Sequence, residues 1–147
     1  MLATSDQENV ARALIDARAG KTPLTAYPGP MPQTMAEAYA IQDRAIALDG
    51  RRVGGWKVGR IAPDLVERYG GNRLTGPIFV DEIFDGVALP TMPVYADGFA
   101  AAEAEVLLCF GAVGTRDYDI DSVRSCIADV RTGIEIASSP FAEINLH

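Results

Sequence analysis

The segment Ala102–Phe110, with the sequence AEAEVLLCF, decides how the fold is interpreted. Successive side chains of an extended strand point to opposite faces, so Glu103 and Glu105 share one face and lie roughly 6.6 Å apart along the chain. Small and apolar side chains occupy the other face. The alternation therefore predicts a strand that begins with two neighbouring carboxylates and runs into an apolar stretch.

Further strand-like runs lie around this segment, separated by Asp-Gly and Pro turns. They cover residues 78–80, 87–89 and 132–137. Residues 120–130 instead place apolar side chains on one helical face, with Asp119 or Asp121 as the N-cap. The second half of the chain is thus predicted to be rich in strands and to contain one helix.

Two longer helices are predicted near the N-terminus, each opened by a capping box. The first box is SDQE at residues 5–8, and its helix should end near Gly20. The second is TMAE at residues 34–37, and its helix should end at Gly50. We expect the two helices to pack against each other through their apolar faces.

Between these helices and the later strands, the sequence predicts three short segments. Residues 23–32 form a proline-rich connector, residues 52–59 (RVGGWKVG) predict a strand, and residues 63–69 predict a short helix. Helices first and strands afterwards indicate an α+β fold. We expect a helical or α/β N-terminal part at residues 1–75 and a β-rich part at residues 76–147.

Composition excludes several function classes. Thirteen basic and twenty acidic residues leave a net charge of −7, which argues against a nucleic-acid or anionic-membrane surface. The only histidine is His147, so histidine-based triads and HExxH zinc sites are excluded unless that residue serves. Cys109 and Cys126 form no CxxC pair and are expected to be reduced thiols. Without a membrane-length apolar run or a signal peptide, the chain is predicted to be cytoplasmic.

The carboxylates on the predicted strands suggest a metal site. Glu135 lies between Ile134 and Ile136, where an apolar strand would place a core residue. Together with Glu103 and Glu105 it offers hard oxygen ligands of the kind that Mg²⁺ or Mn²⁺ prefers. Solvent-facing acids on half-exposed strands would give the same pattern, and spacing alone leaves both interpretations open.

Lys57 is the second candidate for chemistry. It lies between Trp56 and Val58 and close to several glycines, so its amine is a candidate for acid–base work. The alternative is a strand lysine whose stem packs on the surface while its charge reaches water.

Five segments occur in an order and spacing that resemble the 2-keto-4-pentenoate hydratases, which belong with the 4-oxalocrotonate decarboxylases to the fumarylacetoacetate hydrolase superfamily. These segments are AYAIQ at 38–42, GWKVG at 55–59, GPIF at 76–79, EAE at 103–105 and IEI at 134–136. The resemblance implies an incomplete mixed β-roll in the second part of the chain. It also implies that Glu103, Glu105 and Glu135 bind Mg²⁺ or Mn²⁺.

The same resemblance implies an activity. Lys57 is expected to transfer a proton or to bind the substrate carboxylate, with Gly59 and Arg60 beside the substrate. The expected reaction is addition of water to a 2-hydroxypenta-2,4-dienoate-type acid through a metal-stabilised enolate, within the catabolism of aromatic compounds. Decarboxylation of a 4-oxalocrotonate-type acid is the alternative.

The chain also departs from the family pattern. Arg60-Ile61-Ala62 replaces the usual Leu-Thr after the lysine motif, and no acidic residue precedes Gly76. Family members continue well beyond the position of His147, so we expect a C-terminally truncated enzyme that forms a homo-oligomer or is completed by a partner chain. A non-catalytic fragment or partner subunit of a complete homologue is the rival interpretation.

Overall fold

The structure is a computed structural model that describes residues 2–86 and 90–142. The chain is α+β, as predicted, with two small antiparallel sheets. Its helices are α1 (Thr4–Gly20), α2 (Met35–Asp49), α3 (Val66–Tyr69) and α4 (Ile120–Arg124). Its strands are β1 (Val53–Arg60), β2 (Arg73–Phe79), β3 (Phe99–Phe110) and β4 (Ile127–Ser139). Single 3₁₀ turns cover Pro63–Leu65 and Val80–Glu82.

The described residues form two compact units. The first contains α1, α2, α3 and the β1–β2 sheet, together with the other described residues up to 99 and residues 138–142. The second unit is residues 100–137, which form the β3–β4 sheet and α4. The predicted domain boundary between residues 75 and 76 stays a prediction.

Helix α1 begins one residue earlier than its predicted capping box. Ala3 is the N-cap, in an extended conformation and without a side-chain cap, so the predicted cap at Ser5 is wrong. Ser5 already lies inside the first turn, where its hydroxyl is no longer at the N-cap position that bonds the next free N–H groups. The end of the helix at Gly20 is confirmed, and Lys21 follows in a left-handed conformation.

Helix α2 has the predicted N-cap but only half of the predicted box. The Thr34 hydroxyl accepts a hydrogen bond from the Glu37 N–H at 3.2 Å. The Glu37 carboxylate, however, accepts from the N–H groups of Gln33 and Leu2, both at 2.8 Å, and the residue is buried. The bond from Gln33, assisted by that from Leu2, lowers the pKa of Glu37. Gly50 ends the helix with φ 72°, as predicted.

The apolar faces of α1 and α2 pack together, which confirms that expectation. Val10 and Ala11 of α1 and Ile41 of α2 are buried in one cluster, and Leu14 and Ala45 pack against it. This cluster is the hydrophobic core of the first unit.

Arg51, just after α2, is paired within the first unit. Its guanidinium bonds the Asp49 carboxylate at 2.7 Å and the Glu82 carboxylate at 2.9 Å, and it lies 4.1 Å from the ring centroid of Phe79. The hydrogen bond from Arg51 holds the pKa of Asp49 below its usual range. This arginine therefore stabilises the junction of α2, β2 and the following turn.

Side chains of α2 bond the backbone of β2. Thr75 pairs with Val58 of β1, while its N–H donates to the Tyr39 hydroxyl at 3.0 Å. Its carbonyl accepts from the Gln42 amide at 2.8 Å. The helix thus satisfies backbone groups of a two-stranded sheet that would otherwise be open to pairing with another chain.

We expect Tyr39→Phe to lower the free energy of unfolding by about 1–2 kcal/mol, because the half-buried Thr75 N–H loses its acceptor. Urea denaturation followed by circular dichroism measures this change. Tyr118→Phe is the matched control, since the Tyr118 hydroxyl bonds Gly114 in an exposed loop and should cost less. Equal losses in the two variants would contradict a special role for the α2–β2 bond.

The predicted helix over residues 120–130 is wrong in its second half. Asp119 is the N-cap and forms a reciprocal capping box with Ser122, but α4 ends at Arg124. Residues from Ile127 onwards belong to β4, and the Gly111 N–H bonds the Cys126 carbonyl at the start of that pairing. Apolar spacing over a short run fits both a helix and a strand, and pairing with β3 decides for the strand.

The remaining elements agree with expectation within a few residues. The connector at 23–32 contains neither helix nor strand, and residues 63–69 form a 3₁₀ turn followed by α3. Residues 78 and 79 of the strand predicted at 78–80 end the longer β2, whereas Val80 begins a 3₁₀ turn, and residues 132–137 lie within β4. The strand predicted at 87–89 lies outside the described residues. Among the described helices, none has the length and apolarity needed to cross a membrane.

Candidate metal site

Strand β3 presents its two glutamates on one face. Exposure alternates along the strand from Phe99 to Val106, with Glu105 half-buried and Ala104 and Val106 exposed. The period-two geometry expected from the sequence is therefore confirmed for this stretch.

Strand β4 brings the third carboxylate to the same place. Glu135 follows Glu105 by thirty positions in the chain, and the antiparallel return of β4 along β3 closes that distance. One carboxylate oxygen from each of Glu103, Glu105 and Glu135 lies within 4.8 Å of the others. Glu105 and Glu135 are half-buried.

Three oxygens at such distances suit a small, hard cation. Mg²⁺ binds oxygen at about 2.0–2.1 Å in an octahedron, in which two ligands lie roughly 3–4 Å apart. The carboxylates need only a small inward movement to reach this geometry. Their negative charges repel one another, and a bound divalent cation would remove that repulsion.

Gly133 is a further residue next to the three carboxylates, and it was not among the site residues predicted from the sequence. It lies two residues before Glu135 in β4, and therefore on the same face. A Cβ built on Gly133 would lie 2.5 Å from Leu107 Cδ1, so Leu107 fills the space that a side chain would need. A glycine inside a strand is the signal that indicates such a close approach. The packing of Leu107 across Gly133 holds β3 and β4 together next to the carboxylates.

Lys57 lies in the first unit, on β1. It is half-buried, and it shares its face with Gly55 and Gly59, while Trp56 and Val58 are exposed on the opposite face. The residue directly across from Lys57 in β2 is Gly76. On the same face, β2 presents Leu74 opposite Gly59 and Ile78 opposite Gly55, and a Cβ built on Gly59 would lie 3.1 Å from Leu74 Cδ1.

The other two residues expected beside the substrate take different faces of β1. Gly59 lies on the face of Lys57, whereas Arg60 is exposed on the opposite one and pairs across the strands with Arg73. The structure thus groups Glu103, Glu105 and Glu135 in the second unit and Lys57 and Gly59 in the first. It does not place Arg60 on the face of Lys57.

Comparison with protein-family models gives no match to this chain, and a search of curated proteins finds no significant relative.

Proposed function

We propose that the chain is a divalent-metal-dependent hydratase domain that acts on 2-hydroxypenta-2,4-dienoate-type 2-oxo acids. The observation that carries this proposal is the meeting of Glu103, Glu105 and Glu135 within 4.8 Å. The proposal further assigns β3 and β4 to an incomplete mixed β-roll of the fumarylacetoacetate hydrolase type. Support for the family comes from the five ordered sequence segments described above.

The donor set matches the proposed substrate class. A 2-oxo acid presents a carboxylate oxygen and a 2-oxo oxygen side by side, and three protein carboxylates leave positions of an octahedron open for both. When bound, Mg²⁺ or Mn²⁺ supplies Lewis acidity to the 2-oxo oxygen. Glu103, Glu105 and Glu135 would hold the cation.

The proton chemistry is assigned to Lys57. Hydration of a conjugated dienol requires a proton to reach carbon as water adds at the far end of the conjugated system. Gly55 on β1 and Gly76 on β2 add no side chains next to Lys57. In this proposal, which the family resemblance suggests, Lys57 donates that proton or fixes the substrate carboxylate, and Gly59 lies beside the substrate.

Parallel assays of purified chain with 2-hydroxypenta-2,4-dienoate and 4-oxalocrotonate test the proposal. We expect Mg²⁺- or Mn²⁺-dependent loss of the dienol absorbance, formation of 4-hydroxy-2-oxopentanoate, and no activity after chelation by EDTA. Release of CO₂ from 4-oxalocrotonate would instead assign the related decarboxylase reaction to the same carboxylates. Absence of turnover with both substrates in millimolar Mg²⁺ would contradict an active enzyme and favour a non-catalytic fragment or partner subunit.

A further inference from the structure

The face of the β1–β2 sheet opposite Lys57 carries two arginines side by side. Arg60, at the end of β1, lies directly across from Arg73, at the start of β2, so the two side chains share one face. Lys57 lies three positions before Arg60 in the same strand, and therefore on the other face. Both arginines are exposed. The sheet thus presents two positive charges together on this face.

The backbone hydrogen bonds bring the two arginine side chains as close as a strand pair allows. The N–H and the carbonyl of Thr75 bond side chains of α2, so this residue exchanges no backbone bonds with its β1 partner. Bonded and non-bonded pairs alternate along antiparallel strands, so Arg60 and Arg73, two positions further, form a non-hydrogen-bonded pair with Cα atoms about 4.5 Å apart. The bond from the Ile61 N–H to the Asn72 carbonyl, at 3.1 Å, agrees with this alternation. Like charges directly opposite each other in such a pair destabilise the sheet.

Neither arginine is neutralised by a carboxylate of the chain. Among residues 2–86 and 90–142, no acidic side chain forms an ion pair with Arg60 or Arg73. The Arg73 guanidinium donates one hydrogen bond to the Asn72 carbonyl at 2.9 Å. Each guanidinium carries five N–H donors, so several remain for a ligand. An anion between the two groups would replace their repulsion with charge-assisted hydrogen bonds.

The same face continues into an apolar strip. Val58 and Trp56 lie two and four positions before Arg60 in β1, and therefore on its face. Val58 is 59 % exposed and Trp56 is 52 % exposed, although tryptophan is highly buried on average in folded proteins. Val58 begins about 7 Å from Arg60 along the strand, so the strip starts next to the positive charges. An exposed indole offers a flat surface on which an aromatic group can stack.

We propose that this face binds a phosphate monoester that carries an aromatic group. The phosphate lies between the two arginines, and the aromatic group lies against Val58 and Trp56. Two guanidinium groups match the charge of a phosphate monoester, about −1.5 to −2 at neutral pH, and their planar forks bond its oxygens in pairs. A carboxylate has a single negative charge and would balance only one of the arginines. The proposal does not depend on metal binding or on the proposed hydratase activity.

Titration of the full chain with phenyl phosphate, without divalent metal and in about 0.15 M NaCl, tests the proposal. Trp56 is the only tryptophan, so a change in tryptophan fluorescence reports binding at this face. We expect a dissociation constant at or below about 1 mM. Arg60→Gln and Arg73→Gln should each weaken binding by about 10-fold or more, because charge-assisted hydrogen bonds are lost. Arg12→Gln is the matched control, since it removes the same charge from α1, where Arg12 pairs with Glu8, and should bind as the wild type does.

Stability measurements guard against loss of folding in the variants. Without ligand, Arg60→Gln and Arg73→Gln should resist urea at least as well as the wild type, because the repulsion between like charges is removed. Phenyl phosphate should raise the Tm of the wild type and leave that of both variants nearly unchanged. Lower stability of both variants without ligand would contradict the repulsive pair.

Three results of the titration would overturn the proposal. The first is an unchanged fluorescence of the wild type up to about 10 mM phenyl phosphate. The second is equal affinity of Arg60→Gln and the wild type. The third is equally tight binding of benzoate, which has the same aromatic ring and a carboxylate in place of the phosphate, and this result would remove the preference for a phosphate.

Discussion

Glu105→Gln is expected to abolish metal-dependent turnover and to weaken Mn²⁺ binding by at least about 100-fold. Changes to residues that merely support a metal ligand cost 10- to 100-fold in affinity, so loss of a ligand's charge should cost at least that much. Glu105 has Glu103 on its own strand and Glu135 on β4 as neighbours, all within 4.8 Å. The amide keeps the size of the side chain, so β3 should remain folded. Titration calorimetry with MnCl₂ and the dienol assay measure the two effects.

The matched control is Glu67→Gln, because Glu67 is an exposed acid on α3 in the first unit. It removes the same charge from the chain without touching the three carboxylates. We expect Mn²⁺ affinity and turnover of this variant to equal those of the wild type. Undiminished Mn²⁺ binding by Glu105→Gln would show that the three glutamates are ordinary surface acids.

Lys57→Met is expected to lower kcat by about 10²- to 10⁴-fold while Mn²⁺ affinity stays unchanged. Positioned acid–base groups contribute rate factors of this size, and methionine keeps an unbranched side chain of similar length without the amine. Lys57 lies on β1 and the carboxylates lie on β3 and β4, so the substitution leaves the metal ligands in place. Steady-state kinetics with saturating Mg²⁺ provide the measurement.

Lys57→Arg separates the two roles proposed for this lysine. Arginine keeps a positive charge that binds carboxylates, but it does not give up its proton under physiological conditions. A variant with near-normal KM and strongly reduced kcat would identify Lys57 as a proton donor. Raised KM with nearly normal kcat would identify it as the carboxylate-binding group. Wild-type kinetics in both Lys57 variants would remove Lys57 from the site.

Several elements were predictable because they depend on neighbouring residues alone. The alternation in AEAE predicts a strand with Glu103 and Glu105 on one face, and the structure confirms it. Thr34 and Gly50 mark the ends of α2 for equally local reasons, a hydroxyl acceptor and a left-handed backbone. The local sequence did not correctly predict the start of α1 or the end of α4. Ala3 precedes α1 in place of Ser5, and residues 127–130 join β4 although their spacing also fits a helix.

The roles of side chains that contact a distant part of the chain were not predictable from the spacing of residues in the sequence. Tyr39 and Gln42 belong to the AYAIQ segment on which part of the family resemblance rests, and in the structure both bond the backbone of Thr75. Both side chains thus link α2 to the backbone of β2. No periodicity within α2 indicates this, because the partner lies more than thirty residues away.

By itself, the sequence determined the fold class, the ends of α2 and the shared face of Glu103 and Glu105, since all of these follow from local backbone geometry. It also determined the absence of histidine before residue 147, which limits the chemistry available. Only the tertiary structure decided that Glu135 joins the other two carboxylates. Antiparallel pairing of β3 and β4 brings together residues thirty positions apart, and the register of such a pair depends on side-chain packing across the strands, as in the contact of Leu107 with Gly133.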